Sequence, residues 1–147
     1  MATSYSGTTT RAAWLGRALV YAMFYVLVGV LTANFGGRVA LGGLGSARFW
    51  RMAAWVISAI AFGSHLQFER LTAARSVVAS AWHGAFAAAL GAFGMALSAN
   101  IYAHSIGSRA FYGLLRLALV LWPVATFVAA FLVGLAAATL MRPRLPA

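Results

Sequence analysis

His65 and Glu69 stand four residues apart at the end of one apolar run, and His83 stands near the start of the next. That spacing puts two helical side chains on one face, which Ser58 and Phe62 continue inward. Arg17 lies at a similar depth in the first apolar run. Antiparallel neighbours would therefore bring Arg17, His65, Glu69 and His83 together at one end of a bundle. An ionisable group at that depth is a functional candidate by default. Asn34 and Asn100, which close the first and third runs, are the matching polar residues of the opposite face.

Several chemistries suit the first cluster. Two histidines facing each other across a cofactor-sized gap would ligate haem. His65, Glu69 and His83 could form the first shell of a divalent cation, although eleven positive charges make the field hostile to one. A proton relay through Glu69 and His65 needs only a water path, because imidazole titrates near neutrality. The plainest reading is structural: Glu69 ionised and paired with Arg17 or Arg70 at the water-facing edge of the bundle. No metal and no cofactor are expected, with haem as the alternative.

Composition narrows the field further. Of 147 residues 63% are apolar and 8% charged, against about half and a quarter in an ordinary soluble domain. Eleven arginines, no lysine and one acid give a formal charge of +10. Glu69 is thus the only side-chain carboxylate, which excludes two-carboxylate catalysis within one subunit. The absence of cysteine excludes disulfides, thiolate catalysis and thiolate metal sites.

The elements that must position these residues are four apolar stretches at about 12–33, 52–68, 77–101 and 114–141. Each is near the roughly 20 residues that cross a bilayer core. None alternates with period two, so helices are the form that satisfies the backbone in lipid. The fold expected is all-α, an integral membrane four-helix bundle forming one transmembrane domain over 1–147. The glycine-rich stretch 34–51 reads as an interfacial loop anchored by Phe49 and Trp50, or as a re-entrant segment. Residues 31–35 resemble 97–101, and 46–50 are echoed by 108–112, which suggests two duplicated helical hairpins. Ser80, Gly84, Ala87, Ala88, Gly91, Gly94 and Ser98 in the third helix, and Ala130, Gly134 and Ala138 in the fourth, form small-residue strips for close helix packing. Pro123 is expected to bend the fourth helix. The basic flank of the first run does not make it a cleaved leader, since the run is long and no small-residue cleavage site follows. With four passes both termini share a face, and its six arginines against five on the other favour a cytoplasmic location.

Phe68-Glu69-Arg70-Leu71 resembles the Glu-Arg loop of the four-helix glutathione-using membrane enzymes in that dipeptide alone. The Asn and second Glu expected downstream are replaced by Val78 and other uncharged residues, so the resemblance implies no activity here. Gly42-Gly43-Leu44-Gly45 has neither the preceding strand nor the Lys-Ser/Thr ending of a nucleotide loop. Arginines set singly or in pairs beside the spans suit lipid headgroups rather than nucleic acid. The function expected is a non-enzymatic subunit or homo-oligomeric component of a membrane assembly, its partners being the bilayer and other membrane subunits or further copies. The alternative is a small oligomeric transporter or channel with the His/Glu cluster at one mouth. A haem-carrying electron-transfer subunit is the third.

Overall fold

A computed structural model describes residues 6–39, 44–73, 75–107 and 112–141. The described residues are almost wholly helical: α1 Ser6–Val39, α2 Leu44–Gln67, a π turn Phe68–Thr72, α3 Val77–Ser105 and α4 Tyr112–Leu140. Three segments are long and apolar enough to cross a membrane, Ala13–Asn34, Val77–Ser105 and Tyr112–Leu140. The second helix does not reach that standard, because Arg48 and Arg51 and the polar residues near its C-terminus shorten its apolar stretch.

The helices are longer than the apolar runs alone suggest. The stretch 34–51, read above as an interfacial loop, is helical over 34–39 and 44–51, and 40–43 lies outside the described residues. A glycine costs about 1 kcal/mol in a helix, but continuing the ladder satisfies every backbone group without help from water. Helix α4 runs unbroken through Pro123. Helix α3 begins where Ser76 in extended conformation offers its hydroxyl to the Ala79 N–H at 3.2 Å, a serine N-cap.

Helix α3 is the centre of the structure. It packs most extensively against α4 and then α1, while α1 also carries α2. Its small-residue strip is the reason: Ser80, Gly84, Ala87 and Gly91 are all buried. A Cβ built on Gly91 would stand 2.7 Å from Cβ of Tyr25, and one on Gly134 of α4 would stand 3.2 Å from the Ala81 backbone. Backbones that approach this closely leave no room for larger residues. The outer surfaces are apolar, with Trp55 79% and Met23 72% exposed.

Candidate functional site

The cluster is assembled by one face of α1. Trp14, Arg17 and Tyr21 follow each other at spacings of three and four, so they form one stripe. Each meets a different polar residue of the other helices. Trp14 stacks on His83 of α3, with ring centroids 4.4 Å apart and planes 6° off parallel. Tyr21 stacks on His65 of α2, 4.2 Å apart and 1° off parallel. Arg17 reaches Glu69, donating from Nε at 3.3 Å and from Nη2 at 3.2 Å to the same Oε1.

Glu69 sits at the centre, and the π turn puts it there. The Ala73 N–H reaches back five residues to the Phe68 carbonyl at 2.9 Å, and the Arg75 N–H bonds the Glu69 carbonyl at 3.0 Å. Turns of this kind are rare and frequent at functional positions. The carboxylate is 0% exposed. Its Oε2 accepts from His83 Nδ1 at 2.6 Å, with the Arg75 Nε at 4.0 Å. Burial opposes ionisation of this group, but the hydrogen bond and charge of His83 and those of Arg17 outweigh it, and the carboxyl titrates below its ordinary value.

Arg17, Glu69 and His83 are therefore brought into one ionic knot joining α1, the α2–α3 connection and α3. The pair with Arg17 is one of the two expected, and the arrangement differs from the expectation in one way. Glu69 is wholly buried rather than at a water-facing edge, held between Arg17 and His83, and the Arg17 guanidinium carbon lies 5.0 Å from the Phe68 ring centroid. A further arginine, Arg75, brings its Nε to 4.0 Å from the carboxylate. Arg70 turns away and donates to the carbonyls of Ala138 at 3.3 Å and Arg75 at 2.9 Å, tying α4 to the connection. His65 stands beside the knot on the same helical face as Glu69, 1% exposed, and its Nδ1 has no hydrogen-bond partner among the described residues.

Sequence reasoning missed Trp14, Tyr21 and Arg75. The signal for the first two was the helical spacing around Arg17, which identifies them as its own face. Arg75 carried no such signal, since its approach depends on the π turn. The opposite-face residues Asn34 and Asn100 are hydrogen-bonded separately. Asn34 donates to its own helix at Val30, 2.9 Å, whereas Asn100 donates to Ala96 at 2.8 Å and across to Leu115 of α4 at 2.7 Å. Beyond Asn100, His104 and the Tyr112 hydroxyl lie 2.7 Å apart in an exposed pair.

What the knot can do chemically follows from its saturation. Both carboxylate oxygens are engaged, and both imidazole rings have a face covered by an aromatic ring. Among the described residues no three His, Cys, Asp or Glu side chains are placed to hold a metal ion. Comparison with known protein families, with curated proteins and with solved structures finds no match to this chain. The class is therefore set by the fold alone: an all-helical protein with three helices able to cross a membrane.

Proposed function

We propose that the chain is a four-pass integral membrane protein with no catalytic centre of its own, acting as a small subunit beside other chains or as a self-associating component. The observation that carries this reading is the saturation of Glu69. The chain's one carboxylate is consumed in holding α1, α3 and the α2–α3 connection together, so no free carboxylate is left for turnover. The apolar exterior supports insertion of α2 as the fourth pass: Met52, Trp55 and Ile60 are exposed along it, between Arg48 and Arg51 at one end and the knot at the other. Four passes put both termini on one side, and the arginine balance favours the cytoplasm.

Purification of the full chain in mild detergent, with mass spectrometry of co-eluting proteins, tests the assembly role. A defined oligomer or a stoichiometric partner is expected. A monomer that elutes alone overturns it. One observation favours a second reading, a transporter of protons: the unpartnered Nδ1 of His65 lies on the same helical face as Glu69. His65→Phe separates the two, because it removes the unpartnered nitrogen and leaves the partners of Glu69 in place. A transporter loses proton flux in vesicles while still assembling, whereas a subunit keeps the activity of its complex.

A further inference from the structure

Between α1 and α2 runs a groove of about 370 Å³ whose walls are Val20 and Phe24 on one side and Ile57 and Ile60 on the other. Its volume is within the range of ligand-binding pockets, roughly 300–1,000 Å³. It opens outward, since Val20 and Ile60 are 66% and 67% exposed. Toward the knot it ends in two hydroxyls, Tyr21 and Ser64, 3.4 Å apart. One turn beyond them, at i−4 from Tyr21 and i+4 from Ser64, stand Arg17 and Phe68. The groove thus leads from an apolar interior to a guanidinium.

That guanidinium belongs to a site with surplus positive charge. Arg17 and Arg75 both face the one carboxylate of Glu69, leaving one positive charge in excess. The Arg17 side chain is 31% exposed, and its Nη1 makes no hydrogen bond among the described residues. A free guanidinium edge suits phosphate oxygens, and basic pockets between membrane helices bind anionic headgroups. We propose that the α1–α2 groove and Arg17 form a binding site for one anionic diacyl phospholipid, an acyl chain lying between Val20, Phe24, Ile57 and Ile60 and the phosphate meeting Arg17. This rests on the membrane reading above. A second copy of the chain is a poor occupant, because a molecule of charge +10 with one acid would bring like charge to the rim. A zwitterionic lipid is a poorer one, since its own cation meets the surplus.

The test uses the full chain purified in mild detergent, with dioleoyl phosphatidylglycerol and dioleoyl phosphatidylcholine added in equal amounts and bound lipid counted by native mass spectrometry. A preference of about fivefold for phosphatidylglycerol is expected, the equivalent of about 1 kcal/mol from one arginine near the membrane surface. Arg17→Gln should abolish the preference, but it also disturbs the knot. Ile60→Trp fills the groove without touching the knot and should lose the bound lipid at unchanged melting temperature. Glycerol phosphate in millimolar excess should not displace the lipid. Equal binding of both lipids overturns the proposal, as does an Ile60→Trp variant that still retains phosphatidylglycerol. Full displacement by glycerol phosphate would mean a phosphate site that does not use the groove. A wild-type dimer that carries no lipid and is dissociated by Ile60→Trp would mean that a second copy fills it. Carbonate washing of membranes keeps the two readings apart: release of the chain defeats the membrane reading, whereas a retained chain with no lipid preference defeats only this one.

Discussion

His83 donates from Nδ1 to Oε2 of Glu69 at 2.6 Å while its ring lies flat against Trp14, so one imidazole connects the carboxylate of the α2–α3 connection to the indole of α1. With Arg17 on the other oxygen, Glu69 is held by two helices that are not neighbours of each other in sequence. The knot is a long-range device: it forms only when α1, α2 and α3 are all docked.

Glu69→Gln should therefore be among the most damaging single changes in the chain. Breaking a buried pair by removing one partner costs about 3–5 kcal/mol. The cost here should be near about 3 kcal/mol, because the Arg17 side chain is 31% exposed and regains some water. Thermal unfolding in detergent measures this. The double variant Glu69→Gln with Arg17→Gln should recover part of the loss, and strict additivity would mean that the pair is not coupled.

Acid should act through the same group. The folded carboxyl titrates below its ordinary value of 4.5, burial being outweighed by His83 and Arg17. A depressed folded value means that the contribution is complete above the ordinary value and disappears as pH falls through the folded one. Below about pH 5 the melting temperature should drop in wild type as this contribution is lost. In Glu69→Gln that acid limb should be shallower. Parallel curves for the two proteins would assign acid sensitivity elsewhere.

Much of this architecture was legible from residue types. The four helices follow from apolar runs with no period-two alternation, and the central position of α3 from its strip of small residues. The meeting of Arg17, Glu69 and His83 follows from antiparallel depth. The burial of Glu69 was not legible, because it goes with a π turn that no local pattern announces. The helical character of 34–39 and 44–51 was hidden for another reason. Glycine argues for a loop by propensity, and propensity is a weak prior against continuing a hydrogen-bond ladder already begun.

Two glycines on the apolar helices should respond in opposite directions to one methyl group. At Gly91 the new Cβ would meet Cβ of Tyr25 at 2.7 Å, so Gly91→Ala forces α1 and α3 apart. Overpacking of this kind costs about 1–3 kcal/mol. At Gly16 a Cβ meets nothing within 4 Å. Gly16→Ala should gain up to about 1 kcal/mol from helix propensity. Melting temperatures of the two variants check the contrast, and a neutral Gly91→Ala would mean that α1 and α3 can part at that contact without loss.

The stacked partner of His65 should matter for its ring rather than its hydroxyl. The Tyr21 hydroxyl is 3.4 Å from Ser64 Oγ, too long for a strong O–H bond, whereas its ring lies 4.2 Å from the imidazole and parallel to it. Tyr21→Phe should change stability by less than about 0.5 kcal/mol. Tyr21→Leu, which removes the aromatic face, should cost about 1 kcal/mol or more. Equal losses in the two variants would shift the weight to the hydroxyl.

Arg70 supplies a separate link, from the connection to the end of α4. Ala138 lies in the last turn of α4, where carbonyls have no partner within the helix, and Arg70 Nε donates to it at 3.3 Å while Nη1 donates to the Arg75 carbonyl at 2.9 Å. A planar guanidinium serves both acceptors at once, and an ammonium cannot reproduce that fork. Arg70→Lys should therefore lose one bond, about 1 kcal/mol, and Arg70→Met should lose both, about 2–3 kcal/mol. The local sign is fraying of the last turn, where the Met141 N–H bonds the Ala137 carbonyl at 3.2 Å. Amide exchange over 136–141 should accelerate in the order wild type, Arg70→Lys, Arg70→Met, with the centre of α3 unchanged. If the three proteins exchange alike there while Arg70→Met is globally less stable, Arg70 acts through the connection and not through α4.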